Sequence, residues 1–456
     1  MPPFHAVTRS LAAVVSILAV LAAGPAAAQV GETTIAKWQH GRSGAVSITF
    51  DDGTINQFRI ARPLLNERGL PGTFYIVTGA LPGSRATGRF VGRPVEDIIA
   101  STAEDTTSKH NFFERASAVR YLGYKGTYQY HMEAGGLYEQ GDVQAAYDVI
   151  DEGYRKVRNG THPKKDGDWS YPLSRYMYEV LAVEPGVDLV TWDMLESYDG
   201  SRHEFGSHTI THPYLAVMDE KNIRRELRKS KAAIRNHLGR EHTFSAELPF
   251  GTKNERVMSY GLEMFPALRN RMPAPYYTEI PRGSEVQPGT TSTAYTIWQR
   301  GPLSDTPMAE MKRWVDVTQR NDNIWLVLVF HGIEGIGWEP TTTAELTEYL
   351  DYIDARTDDL WVTTYRDGTK YVRERMDATV STSVKQDTIA VSLSHSLGPR
   401  YDLPLTLRSR VPSSWSRVQL RQGEVEKTLE VNTDERGAYV QYSARPNGAP
   451  VRLTDR

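Results

Sequence analysis

Unbroken apolar runs that alternate with helix-type segments constrain the fold of this chain more than any other feature. The runs AVSITF (45–50), TFYIVTG (73–79) and IWLVLVF (324–330) show no regular polar alternation. Such runs are typical of strands that are covered on both faces of a sheet. Residues 55–69 follow the first run, residues 219–239 precede the third, and both have apolar residues at helical spacing. Alternating strands and helices predict an α/β fold with a parallel sheet.

Two regions depart from this alternation. Residues 84–190 contain long amphipathic stretches with many tyrosines, which predict a mainly helical insertion. The insertion either shapes a binding cleft or only packs on the sheet as structural helices. Residues 377–456 form short alternating segments separated by turn-prone pieces, which predict a small C-terminal β-sandwich. We expect it to support the main domain at 29–376, although carbohydrate binding remains an alternative.

The N-terminal sequence has the organisation of a secretory signal peptide. Arg9 precedes an apolar stretch, and the small-residue segment PAAAQV follows it. We predict a signal peptide over residues 1–28 with cleavage after Ala28. The alternative is a retained membrane anchor, since the apolar run is nearly long enough to span a bilayer. Cleavage would place the mature protein in the periplasm or outside the cell, without a membrane association.

Overall composition excludes several classes of function. The chain has 456 residues and a formal net charge of −3, which gives no electrostatic basis for binding nucleic acid. It contains no cysteine, so disulfides and thiolate metal sites are excluded. The oligomeric state is not constrained by these values.

Two adjacent carboxylates follow the first apolar run in the stretch SITFDDG (47–53). Asp51 and Asp52 repel each other, and burial of either one without a partner is costly. One explanation is a solvated turn, because Asp and Gly are common turn residues. The other is that one carboxylate binds a metal ion and its neighbour transfers a proton.

A pair of histidines provides the second chemical signal. His208 and His212 lie four residues apart in FGSHTITHP, where Pro213 disfavours a helix and favours a loop after a strand. Two histidines alone are a weak metal signal, but with an aspartate they form an open site of the kind that catalytic zinc uses. Asp52 is the candidate third ligand, because the carboxyl ends of parallel strands meet at one edge of a sheet.

His331 directly follows the most apolar run, at the strand end where catalytic groups usually lie in β/α folds. Alternatively, it is a hydrogen-bonded histidine of the core. Trp338 follows in a loop, where its side chain either stacks on a sugar ring or covers an edge of the core.

Together these motifs resemble the polysaccharide deacetylase family, also called the NodB-homology or carbohydrate esterase 4 group. The resemblance extends from about residue 43 to 375, interrupted by the insertion, and includes TWDMLE (191–196) and LPFG (248–251). It implies a distorted, incomplete (β/α) barrel that binds one divalent metal ion, commonly Zn²⁺. It also implies hydrolysis of N-acetyl or O-acetyl groups on a polysaccharide or oligosaccharide.

The resemblance also implies a role for individual residues. Asp51 would be the general base and His331 the general acid, while the backbone N–H near Phe250 would help to bind the oxyanion. The implied metal ligands are Asp52, His208 and His212.

One position departs from the family pattern. The third family motif begins with an arginine that orients the base aspartate, whereas Glu247 begins the corresponding stretch ELPF. We expect this glutamate either to raise the pKa of Asp51 by like-charge repulsion or to be protonated itself. A substitute cation such as Arg269 would compensate.

Three functions differ in how well they account for these residues. A metal-dependent deacetylase uses every one of them. A catalytically altered, carbohydrate-binding relative is the alternative that Glu247 suggests. A glycoside hydrolase fits poorly, since its two carboxylates normally lie on separate strand ends rather than on adjacent residues such as Asp51 and Asp52.

Overall fold

The computed structural model describes residues 29–85, 87–164, 187–198, 202–269, 278–280, 296–301 and 304–456. The predicted signal peptide and the last part of the predicted insertion, residues 165–186, lie outside the described residues. No helix within the described ranges is long and apolar enough to cross a membrane.

Helices and strands alternate through the first four-fifths of the chain, and strands follow. The α-helices of the described residues are α1 (Arg62–Glu67), α2 (Val95–Ser101), α3 (Phe112–Ala118), α4 (Tyr128–Glu139), α5 (Val143–Arg158), α6 (Trp192–Glu196), α7 (Glu220–Leu238), α8 (Glu255–Met264), α9 (Met308–Arg320), α10 (Thr343–Asp354) and α11 (Tyr365–Asp377). The first strands are β1 (Thr33–Ile35), β2 (Gly44–Phe50), β3 (Thr73–Ile76), β4 (Glu204–Ser207), β5 (Ser245–Ala246), β6 (Ala267–Leu268), β7 (Thr278–Ile280), β8 (Thr296–Arg300), β9 (Ile324–Phe330) and β10 (Leu360–Val362). The last strands are β11 (Thr379–Lys385), β12 (Thr388–Ser394), β13 (Leu405–Arg410), β14 (Arg417–Gln422), β15 (Val425–Glu430), β16 (Asn432–Asp434), β17 (Gly437–Ala444) and β18 (Val451–Asp455).

The main sheet is a curled parallel half-barrel. Its strands follow the order β6-β5-β4-β3-β2-β9-β8-β7, and β10 pairs with the first half of β2. Every strand pair in this sheet is parallel, so the carboxyl ends of the strands share one rim. The α/β class and the incomplete barrel predicted from the sequence are confirmed.

Stacked phenylalanine rings support this rim. Every residue of β2 and β9 is buried, which explains their lack of polar alternation. At the end of β2, the ring of Phe50 stacks on Phe74 with centroids 4.9 Å apart and on Phe330 with centroids 5.3 Å apart. The ends of β2 and β9, which precede Asp51 and His331, are therefore held to β3 by one aromatic cluster.

The segments HTFSAEL (242–248) and WVTTY (361–365) have strand-like sequences, but the strands that they form are shorter. In HTFSAEL only Ser245–Ala246 pairs, because residues 241–243 form a 3₁₀ turn and the chain leaves the sheet after the Glu247 N–H bonds to the Ser207 carbonyl at 3.0 Å. In WVTTY the strand β10 ends at Val362, since the Thr364 side chain caps helix α11 by accepting from the Asp367 N–H.

The described part of the predicted insertion is helical. Helices α2 to α5 enclose a small hydrophobic core of their own, which includes Phe112, Ile150 and Tyr154. Val217, from the loop after β4, belongs to the same core. The insertion therefore packs directly against the loop that carries the two histidines.

The C-terminal segment forms two antiparallel sheets, with the orders β1-β13-β17-β16 and β11-β12-β18-β14-β15. Strand β1 precedes the half-barrel in the chain, yet it pairs with β13 in register Thr33–Ser409. Apolar side chains of the two parts form one continuous core, in which Trp325 and Tyr371 lie with Val391 and Leu407. The C-terminal sheets thus close the bottom of the half-barrel, away from the rim.

Candidate metal centre and active site

The chain turns sharply at the end of β2, where the two adjacent aspartates lie. The Asp51 N–H still donates to the Phe330 carbonyl at 2.9 Å, but Asp52 has a φ of 77° and Gly53 a φ of 71°. The Gln57 side chain donates to the carbonyl of Asp51 and, at 2.8 Å, to that of His331. The two aspartates therefore leave the strand in different environments, and Gln57 ties the ends of β2 and β9 together.

Asp52, His208 and His212 converge into one buried cluster, with their ligand atoms all within 4.8 Å of one another. The Asp52 Oδ1 lies 3.6 Å from the Nε2 of His208 and 3.4 Å from the Nε2 of His212. The Nδ1 of His208 donates to the Glu247 carbonyl at 3.0 Å, which directs its Nε2 toward Asp52. Burial lowers the pKa of His212 to about 3, and the neighbouring His208 adds to this, so the His212 imidazole is neutral at neutral pH.

Several loops at this rim have unusual backbone conformations. Four residues of the site have a positive φ although none is glycine: Asp52 (77°), Thr209 (66°), His212 (49°) and Phe250 (61°). Such conformations cost free energy and persist where the surroundings fix them, often at functional sites. Glu226 of α7 supplies part of this support, since its carboxylate accepts from the N–H groups of Ile210 and Thr211, both at 2.9 Å.

Asp51 has a different partner from Asp52. The Arg269 guanidinium donates to both carboxylate oxygens of Asp51 at 2.6 Å, to Thr49 Oγ1 at 2.8 Å, and lies 2.9 Å from Glu247 Oε1. The side chain of Arg269 is fully buried. Arg269, which follows β6, therefore supplies the cation that is missing from position 247.

The expected effect of Glu247 on Asp51 is wrong. Burial acts to raise the pKa of Asp51, but the Arg269 guanidinium and the nearby histidines outweigh it, so its pKa is lowered. Glu247 instead pairs with Arg269, and both carboxylates share one guanidinium. Asp51 is therefore ionised at neutral pH, as a proton acceptor must be.

The charges and donor atoms of the site fit a divalent cation. The Asp51 and Glu247 carboxylates share the Arg269 guanidinium, whereas the buried Asp52 carboxylate faces the two histidines. A cation bound between Asp52 and these histidines would offset the buried charge of Asp52. One carboxylate oxygen and two imidazole nitrogens are also the donor set that zinc accepts in open sites.

His331 lies directly after β9, beside Asp51. Its Nε2 is 3.5 Å from Asp51 Oδ2, and the Trp338 ring contacts the His331 ring edge-on with centroids 4.7 Å apart. Gly332 allows the loop to fold back on itself, because a Cβ there would lie 2.8 Å from the backbone of Gly337. The structure thus brings His331 and Trp338 to the same rim as the metal-ligand cluster.

The candidate metal ligands, Asp51 and His331 line one cavity of about 450 Å³. Its lining residues are Asp51, Asp52, His208, His212, Tyr214, Glu247, Phe250, Gly251, His331 and Trp338. Phe250 is 40% exposed and Trp338 44% exposed, which is unusual for large apolar side chains. The Phe250 ring stacks on Tyr214 with centroids 3.8 Å apart and meets His212 edge-on. Apolar surfaces therefore flank the charged groups on two sides.

Every site residue predicted from the sequence lies at this cavity, but several supporting residues were missed. They are Gln57, Arg120, His131, Tyr214 and Glu226. None lies in a recognisable motif, and each acts on residues that are distant in the sequence.

Comparison with known proteins agrees with the motifs. The family model described as polysaccharide deacetylase matches residues 167–264, which include both histidines, α7 and Glu247. A gellan lyase from a Bacillus species is 26% identical over 271 residues, or 55% of this chain. The chain spans only 11% of the length of that relative.

Two of the solved structures that align with the chain cover most of it. A putative polysaccharide deacetylase from Mycobacterium smegmatis aligns with 76% of this chain and 96% of its own, at 13% identity and a TM-score of 0.37. A Xyl-CE4 domain of a multidomain xylanase, from the hindgut metagenome of Trinervitermes trinervoides, aligns with 70% and 86%, at 11% identity and a TM-score of 0.29. No conclusion about function follows from alignments at these TM-scores. The polysaccharide deacetylase family that the sequence motifs resemble is matched over residues 167–264, the segment that contains His208, His212 and Glu247.

Proposed function

We propose that the chain is an exported, metal-dependent hydrolase that removes acetyl groups from a polysaccharide or oligosaccharide. One observation carries the proposal: Asp52, His208 and His212 form a buried cluster next to Asp51, in a cavity that the exposed Phe250 and Trp338 side chains also line. When bound to these ligands, a divalent ion such as Zn²⁺ supplies the Lewis acid that polarises the acetyl carbonyl and makes water a stronger acid.

The residues around the cluster have complementary tasks in this reaction. Asp51, ionised and held by Arg269, accepts a proton from the attacking water. His331 lies 3.5 Å from Asp51 and donates a proton to the amine or alkoxide that leaves. Phe250 lines the cavity, and the backbone N–H near Phe250 helps to bind the oxyanion.

Acetate release from a panel of glycans tests this function. The panel contains chitohexaose, acetylated xylan and acetylated gellan, the last because the matched Bacillus relative is named as a gellan lyase. We expect release from at least one glycan, loss of release with a chelator, and recovery with Zn²⁺. Release that is unaffected by complete removal of metal would contradict the role of the cluster.

The metal content of single variants distinguishes the proposed metal ligands from the proposed general base. We expect about one divalent ion per chain, which His208→Ala or His212→Ala removes. Asp51→Asn keeps the metal and loses acetate release, because an amide cannot accept the proton. Retention of metal by both histidine variants would exclude these side chains as ligands.

The second candidate is a glycan-binding relative with altered catalysis, which the glutamate at position 247 favours. Wild-type protein that binds a glycan of the panel but releases no acetate from any of them would establish it. Arg269 opposes this candidate, because it restores the cation that the substitution removed.

Export is proposed from the sequence of residues 1–28. N-terminal sequencing of the protein from the culture medium or periplasm should give a mature chain that begins at Gln29. An intact Met1 in a membrane fraction would support the retained anchor.

A further inference from the structure

The inserted helices contact the loop that carries both histidine ligands. We call residues 208–214 the histidine loop. It follows β4, a strand of the half-barrel, but two of its residues form hydrogen bonds to side chains from the insertion. These contacts tie a segment outside the barrel to the candidate metal centre.

Arg120 makes the first of these contacts. Its guanidinium is only 5% exposed, and it donates to the Thr211 carbonyl and to Thr211 Oγ1, both at 3.1 Å. On its other side, Thr211 donates from its N–H and its hydroxyl to the carboxylate of Glu226, at 2.9 and 2.8 Å. Thr211 is therefore clamped between a cation of the insertion and an anion of the barrel, both buried.

His131 of α4 makes the second contact. Its Nε2 accepts from the Tyr214 N–H at 3.1 Å, while its Nδ1 lies 2.8 Å from the Ala116 carbonyl. These partners define a neutral ring with the proton on Nδ1. Burial keeps the pKa of His131 well below its usual value, which agrees with this tautomer.

The histidine loop needs such support because its backbone is strained. Thr209 and His212 both have positive φ values, 66° and 49°, which residues with a side chain rarely adopt. Arg120 bonds to Thr211 and His131 accepts from the Tyr214 N–H, so the two contacts lie on either side of His212 in the sequence. Losing them would let the loop relax and would move the His212 imidazole away from Asp52.

We propose that the insertion is part of the metal centre, with Arg120 and His131 as positioning residues that hold His212 in its ligand geometry. This inference rests on the proposed metal site and adds a function for the inserted helices. Outer partners of metal ligands typically contribute about 10–100-fold to metal affinity. Neither Arg120 nor His131 is among the residues that line the cavity, so we expect their effect to be transmitted through the backbone of the histidine loop.

The test compares two buried arginines of the insertion. Arg115 is 1% exposed and bonds within the insertion, to Asp105 and to Thr107. We expect Arg120→Met to weaken Zn²⁺ binding at least about tenfold, measured by competition with a chromophoric chelator, whereas Arg115→Met retains wild-type affinity. His131→Leu should weaken binding in the same way as Arg120→Met.

Cobalt substitution provides an independent readout of ligand geometry. We expect the visible absorption of bound Co²⁺ to change in Arg120→Met and His131→Leu but not in Arg115→Met. If circular dichroism shows that Arg120→Met does not fold, Zn²⁺ affinity and the Co²⁺ spectrum are measured in Arg120→Lys and His131→Gln instead. Each of these variants retains part of the hydrogen bonding. Folded variants at both positions with wild-type Zn²⁺ affinity and Co²⁺ spectrum overturn the inference. Failure of the wild-type protein itself to bind Zn²⁺ would instead overturn the proposed metal site.

Discussion

Arg269 shows how one side chain can replace another from a different part of the chain. Its guanidinium bonds to Asp51 across 218 residues of sequence and also pairs with Glu247, the residue at the position where the family has its arginine. A motif search compares position 247 alone and finds only a charge of the wrong sign. The geometry shows that the glutamate and the arginine act together.

Removal of this cation should destabilise the fold. In Arg269→Met, Asp51 and Glu247 remain buried without their partner, and a broken buried ion pair costs about 3–5 kcal/mol. We expect urea unfolding to show a loss of that order, together with loss of acetate release. Glu247→Gln is the matched control, because Arg269 keeps its two bonds to Asp51 and the fold should remain close to wild-type stability. Equal stability of Arg269→Met and wild type would show that Asp51 is neutral in the folded protein.

At the residue scale, the sequence predicted the groups that bear chemistry and named Arg269 as a substitute cation, but it missed other residues that hold the site together. Asp51, Asp52 and His331 were found because they follow apolar strands, where the side chains of a parallel sheet meet. Gln57 could not be found in this way, because its contacts depend on how the loops fold back over the rim.

At the scale of elements, helix α4 supports an aromatic wall of the cavity. A Cβ on Gly135 would lie 2.2 Å from the Cγ of Tyr214, so the helix and the ring are in direct contact. Tyr214 in turn stacks on Phe250, and the Glu139 carboxylate accepts from the Thr252 hydroxyl at 2.5 Å. The helical spacing of the insertion predicted such helices, but it did not indicate which of their small residues would face the site.

A pair of alanine substitutions on α4 tests this wall. Gly135→Ala must displace Tyr214 and with it Phe250, so we expect a higher KM for the glycan substrate and a loss of about 1–3 kcal/mol in stability from overpacking. Gly136→Ala is the control, since a Cβ there meets only the Tyr214 hydroxyl at 3.9 Å. Turnover of 4-nitrophenyl acetate should be unchanged in Gly136→Ala. An unaltered glycan KM in Gly135→Ala would show that the wall does not contact the substrate.

At the scale of the whole molecule, the half-barrel and the C-terminal sheets share a core. Trp325 and Tyr371 from the barrel pack with Leu407 and Val391 from the C-terminal sheets, and the Tyr371 hydroxyl donates to the Ala36 carbonyl at 2.9 Å. Alternating patterns were sufficient to predict the C-terminal strands. They did not predict that β1 would join them, because a three-residue strand carries too little pattern to assign its partner.

A buried carboxylate in this shared region should make stability depend on pH. Glu374 of α11 lies 3.5 Å from His395 and accepts from the Leu403 N–H at 3.0 Å, and burial raises its pKa to about 7. The folded protein therefore holds a proton that the unfolded chain releases near pH 4.3. The stabilisation from this group is complete below that value and is lost as the pH rises to about 7.

Thermal unfolding between pH 5 and pH 8 checks this dependence. We expect Glu374→Gln to remove part of the decline in stability toward pH 8, because its amide is neutral throughout. Glu348→Gln, on the exposed face of α10, should leave the decline unchanged. Parallel curves for wild type and Glu374→Gln would show that Glu374 has an ordinary pKa.

The pairing of β1 with β13 has a consequence for the order in which the chain folds. Thr33 meets Ser409 across 376 residues, so β1 has no partner until nearly the whole polypeptide has emerged from the ribosome. We therefore expect the pairing of β1 with β13 to form late in folding. Until then, the main-chain N–H and C=O groups of β1 have no neighbouring strand to bond to.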